Sequence, residues 1–226
     1  MGMVTLEIFE FWAEHIDAVL RALTMTVRIW VICVVVGTVA GCLVGVCRVY
    51  GGRVLYFLAT AYVEFFRGTP LLVQMFMIHF GLPEVGIVFS PVTSATIAII
   101  LNTSAYQSEY FRGAIQSIDT GQKMAADALG LTPWKAIRFI VLPQAFRIVI
   151  PQWSNEVTMI FLETSLAFTI GVIEVVGQSK MIGFQTFRYF EIFALAGVIY
   201  FVCVATLSMI LDRVAKRVQL PGSAKM

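Results

Sequence analysis

A chain of 226 residues that is 59% hydrophobic and 13% charged, with a mean hydropathy of +0.85, is not composed for water; a soluble domain carries about 25% charged residues. A net charge of +2 says little by itself, but the lack of a basic–aromatic stripe argues against nucleic-acid binding. Only two histidines, His15 and His79, occur, in distant segments, so neither a metal centre nor a histidine acid–base site is expected.

The opening stretch carries Glu7, Glu10, Glu14 and Asp17 and no Lys or Arg before Arg21. This is the reverse of the positive start of a cleaved signal, and none is expected. A first membrane span is predicted from Ile29 to Cys47, near the ~20 apolar residues that cross ~30 Å of hydrocarbon. Within it Gly37, Gly41 and Gly45 form two overlapping G-x-x-x-G patterns, which suit close helix approach. A second span covers roughly Val54 to Phe80, interrupted by Glu64, Arg67 and Pro70, and Pro70 is expected to kink it. Gln74 in this span is a candidate for lining a substrate path, and His79 is placed at the outer interface. A third span runs from Pro91 to about Phe111. Midway along it, Asn102, Thr103 and Ser104 are placed to hydrogen-bond between helices or to meet a substrate.

Residues 121–145, GQKMAADALGLTPWKAIRFIVLPQA, then turn small, polar and charged. Ala125 to Leu129 favours helix, Gly130 suits a helix end, Thr132 a cap, and Pro133 a first turn. A second helix is predicted from Trp134 to Leu142, closed by Pro143, with Trp134, Ile137 and Val141 on one face. A helix–glycine–helix hairpin with one apolar side needs a surface to lie on.

The fourth span runs from Val149 to about Ile170 and carries Glu156 and Glu163; the fifth runs from Ile192 to Leu211. A carboxylate in hydrocarbon costs several kcal/mol and normally faces a cavity or a partner. Seven residues make about two turns, so both carboxylates share a face, with Asn155 beside the first and Thr164 after the second. This stripe reads as a substrate path at a subunit interface that recognises a cationic group, as a structural ion pair with Arg28, Arg112 or Arg147, or as a position near the membrane interface. The four cysteines, Cys33, Cys42, Cys47 and Cys203, lie in or beside spans without metal-ligand spacing and read as small buried hydrophobes.

Charge placement orients the chain. With five spans and an outside N-terminus, the inside segments hold Arg48, Arg53, Arg67, Arg112, Lys123, Lys135, Arg138, Arg147, Arg213, Lys216, Arg217 and Lys225, and the outside segments only Lys180 and Arg188. The positive-inside rule therefore puts the N-terminus outside, the C-terminus inside, and the hairpin in the cytoplasm. The basic tail from Arg213 to Met226 is expected on anionic headgroups.

Ala125, Ala126 and Gly130, followed after nine residues by Ile140, Leu142 and Pro143, form a pattern that resembles the EAA coupling motif of permease subunits of bacterial ATP-binding-cassette importers. RGTPLLVQ (Arg67–Gln74), FGLP (Phe80–Pro83), LNTSAYQSEYFRGAIQS (Leu101–Ser117), PQAFRIVIPQWSNEV (Pro143–Val157) and ETSLAF (Glu163–Phe168) are similar to the polar amino-acid uptake branch of that family. The resemblance implies an all-α polytopic membrane protein with about five transmembrane helices and a cytoplasmic coupling-helix hairpin, the type I importer permease fold. It implies one permease domain over 1–226, with the coupling loop at 112–150, in a bacterial inner membrane. Ala125, Ala126, Asp127, Gly130 and Leu131 would meet the ATPase. Implied partners are two ATPase subunits that bind ATP and Mg, a second permease chain (homologous or a self copy), a periplasmic solute-binding protein, membrane lipid and an amino acid. One departure stands out: the motif's glutamate falls on Met124, with Asp127 one turn along.

The run SNEV, with TSLAF after a short gap, looks most like permeases for histidine, arginine and opines, which implies that Glu156 contacts a cationic side chain. Glu163 falls where relatives carry Asp or a neutral residue. The substrate path is thus expected at Glu156, Glu163, Asn155, Gln74, Thr164 and Asn102. The same importer class for glutamine, glutamate or cystine is the alternative, because every amino acid has an α-ammonium. An ion-coupled carrier without an ATPase is more distant, since it leaves the hairpin unexplained and no inverted repeat is visible. No Gly-x-x-x-x-Gly-Lys-Ser/Thr loop occurs, so this chain is not expected to hydrolyse ATP or to hold a cofactor itself.

Overall fold

The computed structural model describes residues 2–218, with side chains described from residue 7 onward except at Lys123. The tail beyond 218, expected on the membrane surface, lies outside the described residues. All regular structure among the described residues is helical. Helix α1 spans Gly2–Tyr50, α2 Gly52–Gly68, α3 Leu71–Phe76, α4 Pro91–Gln116, α5 Thr120–Ala128, α6 Pro133–Ala136, α7 Leu142–Glu163, α8 Val175–Thr186 and α9 Tyr189–Val218.

Three sequence expectations change. Helix α1 is not confined to Ile29–Cys47 but reaches back through the acidic stretch, because neither glycine nor proline interrupts residues 3–36. The segment Val54–Phe80 is not one kinked span. Helix α2 ends at Gly68, Thr69 is extended (φ −118°, ψ 143°), and Pro70 caps α3. The proline ring excludes its predecessor from the helical region, so the chain breaks rather than bends. Finally, Pro143 does not close the second hairpin helix. A wide turn over Ile137–Val141, in which the Leu142 amide reaches back to the Ile137 carbonyl, joins α6 to α7. This change of register accommodates a proline that has no amide to give and would otherwise crowd the carbonyl four residues back.

By length and composition, Glu7–Tyr50 and Tyr189–Val218 can each cross a membrane. Pro133–Ile170 and Val175–Thr186, bent by 47°, make a third crossing if taken as one span. Helix α4 is less apolar, and its polar row Asn102, Thr103, Ser104, Gln107 and Ser108 is buried inside protein, where such groups are tolerable.

The chain groups into two compact units, Met1–Val35 with Pro70–Ile100 and Thr158–Leu207, and Val36–Thr69 with Leu101–Val157 and Ser208–Met226. In the first, Ile29, Met75, Ile99, Ile160 and Ile170 share one apolar core, and Phe11, Val19, Val175, Ile192 and Leu195 share another. Trp12 Nε1 donates to the Glu191 carbonyl at 2.8 Å, and the Arg188 guanidinium lies 4.4 Å from the Phe11 ring centre while bonding Glu191. His79, expected at an interface, is half-buried with Nδ1 3.2 Å from the Ser94 hydroxyl. Cys33 and Cys42 are buried, and Cys47 and Cys203 half-buried.

The second unit is organised by a glycine row. A Cβ on Gly37 would lie 2.5 Å from Thr103 Cγ2, on Gly41 2.7 Å from Gln107 Cβ and 3.0 Å from the Ser104 carbonyl, and on Gly45 2.9 Å from the Ser108 carbonyl. Helix α1 thus approaches α4 as closely as the missing side chains permit, which fixes where the polar row of α4 sits. Phe111, Ala114, Val141, Ala145 and Val149 complete this core.

Gly41→Leu should therefore lower the stability of the detergent-solubilised protein by about 1–3 kcal/mol, as overpacking does. Gly197→Ala, where no atom lies within 4 Å of the added carbon, should leave it within about 0.5 kcal/mol. Equal melting temperatures for the two variants would contradict the close contact.

Candidate functional site

Glu156 is 7% exposed, on α7, in the second unit. Thr103 Oγ donates to its Oε1 at 2.8 Å, and the Tyr110 hydroxyl donates to its Oε2 at 3.1 Å. Gln107 Nε2 in turn donates to Thr103 Oγ at 3.1 Å. All three supporting residues come from α4 and project from it three or four positions apart, so the helix period alone lines them up. No Lys or Arg among the described residues of this unit pairs with Glu156; Arg112, one candidate for a structural ion pair, bonds Glu109. The carboxylate is held by neutral hydroxyls, and each oxygen retains capacity for a further donor.

Of the other expected residues in this unit, Asn102 is buried with Nδ2 3.1 Å from the Phe66 carbonyl, near the end of α2, whereas the Asn155 side chain is exposed. Among the described residues no hydrogen bond joins the Asn155 side chain to the Glu156 hydroxyl network.

Close to the Glu156 network stands a charge cluster that sequence reasoning missed. Glu109 accepts from Arg48 on α1 and from Arg112 Nε and Nη2 at 3.0 and 2.6 Å, and Arg67 Nη1 lies 3.8 Å away. The Arg67 guanidinium also sits 5.2 Å from the Tyr106 ring centre. The i,i+3 spacing of Glu109 and Arg112 was the readable signal; the arrival of Arg48 and Arg67 from other helices was not. A cavity of about 330 Å³, lined by Glu109, Tyr110, Gly113, Ala114, Ser117, Ile148 and Gln152, adjoins both groups, since Tyr110 belongs to the wall and to the Glu156 network.

Gln74, Glu163 and Thr164 fall in the first unit. Gln74 and Thr164 are buried and Glu163 is half-buried; Thr164 Oγ donates to the Phe161 carbonyl at 2.7 Å. A carboxylate that the sequence did not single out, Glu174, is fully buried here. It accepts from the Val176 and Gly177 amides at 2.9 and 2.8 Å and from the Tyr200 hydroxyl at 3.0 Å, so it caps α8. A larger groove of about 500 Å³ in this unit, lined mostly by apolar residues including Phe168, Met181 and Phe184, holds Lys180 and no carboxylate.

The hairpin forms as its residues dictate. The Asp119 carboxylate accepts from the Gly121 amide at 2.6 Å and opens α5. At its end the Leu131 amide reaches the Ala126 carbonyl and the Gly130 amide reaches the Asp127 carbonyl, with Gly130 at φ +69°. This paired reversal needs a left-handed residue. Ala126 is buried, Leu131 half-buried, and Ala125, Asp127 and Gly130 exposed. Met124, Leu129, Trp134 and Phe139 expose between 64% and 77% of their surfaces.

These elements have counterparts in known proteins. A family model described as the inner membrane component of binding-protein-dependent transport systems matches residues 37–219. The arginine transport system permease protein ArtQ of Bacillus subtilis (strain 168) is 34% identical over 93% of this chain and 97% of its own length. The glutamine transport system permease protein GlnP of Escherichia coli (strain K12) is 36% identical over 91% and 94%. The crystal structure of an amino acid ABC transporter with histidines matches at a TM-score of 0.85 and 32% identity, covering 92% of this chain and 98% of that one. The all-helical architecture is that of a type I importer permease, and the chain belongs to the family of inner membrane components of binding-protein-dependent transport systems, as a permease subunit of an amino-acid ABC transporter.

Proposed function

We propose that this subunit moves a basic amino acid (arginine, histidine, lysine or an opine) from periplasm to cytoplasm, with Glu156 as the counter-ion of the cationic side chain. The observation that carries this reading is a buried carboxylate whose partners in its unit are hydroxyls alone. A guanidinium or ammonium satisfies such a group better than any neutral side chain. Asn155, Asn102, Gln74, Glu163 and Thr164 are assigned to the path as secondary contacts. ArtQ, named for arginine transport, is consistent with this reading, whereas GlnP, named for glutamine transport, marks the competing one.

The motor lies in other chains. Two ATPase subunits bind ATP and Mg, a second permease chain completes the path, and a periplasmic solute-binding protein delivers substrate. The N-terminus faces the periplasm in this reading, the orientation that the distribution of Lys and Arg favours. The hairpin docks on the ATPase through Ala125, Ala126, Asp127, Gly130 and Leu131. Exposed Met124, where the family motif has glutamate, makes that contact apolar. Closure of the ATPase pair on ATP then moves the hairpins and opens the path inward.

Two experiments test this reading. In proteoliposomes holding the whole complex and its binding protein, labelled arginine or histidine should accumulate only with ATP, and Glu156→Gln should lower kcat/KM for uptake about 100-fold, the order seen when one partner of a buried charge pair is removed. Uptake of glutamine in preference would reassign Glu156 to the α-ammonium, and accumulation without ATP would reinstate a carrier. For the hairpin, Gly130→Val should weaken co-purification of the ATPase subunits, because a β-branched residue resists positive φ, while Gly130→Asn should retain it. Equal retention by both variants would remove the turn from docking.

A further inference from the structure

The hydroxyl network around Glu156 has one loose end. Thr103 has a single hydroxyl proton, and it is given to Glu156 Oε1. Thr103 Oγ therefore accepts from its other neighbour, so the Gln107 group facing it is the amide nitrogen. This proton count fixes the orientation of an amide whose two ends would otherwise be interchangeable. It leaves Gln107 Oε1 as an acceptor without a donor, on a side chain that is 0% exposed. The glycine row of α1 cannot supply one: the groups that approach Gln107 there are Gly37 and Gly41, which carry no side-chain donor. Support of Thr103 explains the nitrogen end of the amide. It does not explain a buried oxygen with nothing to accept, an arrangement that folded proteins rarely keep without a use.

We infer that Gln107 is a specificity-determining residue of the Glu156 site, its Oε1 accepting a hydrogen bond from a guanidinium-bearing amino acid whose charge Glu156 balances. This rests on the reading of Glu156 given above and narrows it. The acceptors left unfilled are the remaining lone pairs of the Glu156 carboxylate and the amide oxygen of Gln107, set apart by the Thr103 hydroxyl between them. A guanidinium carries five N–H donors in one plane on three nitrogens, so one nitrogen can serve the carboxylate while another serves the amide. An ammonium sends its three donors outward from one atom, and a carboxamide has donors on a single nitrogen. Tyr110, which itself bonds Glu156, also lines a cavity of about 330 Å³; Glu156, Thr103 and Gln107 are not among the residues of its wall.

The test uses the detergent-purified complex without its solute-binding protein, whose own selectivity would mask that of the permease, and measures equilibrium binding of labelled arginine and lysine. The wild-type complex should prefer arginine. Gln107→Met should weaken arginine binding about tenfold and lysine binding less than twofold, so that the preference collapses. Equal losses for both ligands, or an unchanged arginine-to-lysine ratio, would overturn the inference and leave Gln107 as support for Thr103. Glu156→Gln separates the two levels. If it leaves arginine binding intact, the Glu156 reading itself fails; if it abolishes binding while Gln107→Met preserves the ratio, only the role of Gln107 fails. Should the Met variant not assemble, Gln107→Asn, which keeps an amide but withdraws it, is expected to give the same collapse, and a preserved ratio in that variant counts equally against the proposal.

Discussion

Water is absent from the hydrocarbon core, so a polar group carried into it finds its partner within the protein or remains unsolvated at a cost of several kcal/mol. Helix α4 is governed by this rule. The Tyr62 hydroxyl on α2 donates to the Leu101 carbonyl at 2.8 Å and lies 2.6 Å from Ser104 Oγ. Asn102 reaches the Phe66 carbonyl, and Trp153 Nε1 donates to Thr38 Oγ at 2.8 Å. These bonds turn a helix too polar to face lipid into the shared wall of its unit. The close approach of α1 that the glycine row permits follows the same logic, since a dry helix interface must exclude the space a water would need.

Three buried or half-buried carboxylates obey the rule in three ways, and the differences separate structure from function. Glu174 is closed by two backbone amides and a tyrosine, the donor set of a helix cap. Glu109 is neutralised by guanidinium groups from α1 and α4, with a third from α2 at longer range. Breaking such a buried pair is costly because it strands a charge, so the cluster acts as a fixed tie among three helices. Glu156 has the smallest donor set, two hydroxyls and no countercharge in its unit. Of these three, Glu156 keeps the most unfilled acceptor capacity, which is what the proposed ligand would complete.

Much of this was legible in the residues. Periodicity and glycine and proline placement gave the hairpin, because a Schellman turn depends on a local left-handed residue and a cap on the nearest hydroxyl. The glycine row could be read because a four-residue repeat puts all three on one face. What could not be read were partners brought in by tertiary packing. Nothing in the spacing links Arg48 or Arg67 to Glu109, or Tyr200 to Glu174, across intervals of tens of residues. The course of the chain through Pro143 was misjudged for a related reason: the proline rule assumes a regular helix, and a wide turn suspends that assumption. Adjacency in sequence does not make Asn155 and Glu156 equivalent: neighbours on a helix point about 100° apart, so the Asn155 side chain is exposed while the Glu156 carboxylate is buried.

The misjudged proline also bears on how the hairpin and the carboxylate are joined. Had Pro143 ended the second hairpin helix, a flexible joint would separate the coupling segment from Glu156. Instead the backbone runs helically from Pro133 through the wide turn into α7 and past Glu156. Twenty-four residues at 1.5 Å each make a rod of ~36 Å. Val141, Ala145 and Val149 pack this rod into the core that contains Phe111 and Ala114 of α4, the helix that also supplies Thr103, Gln107 and Tyr110. A contiguous packed element is the kind of connection through which force at one end biases geometry at the other. A shift of the hairpin that moves α7 along α4 by a fraction of a turn would change which hydroxyls Glu156 meets, and with them the number of acceptors it offers. In the proposed reading the same helix serves as handle and as part of the site, and the wide turn before Pro143 keeps the two on one continuous element.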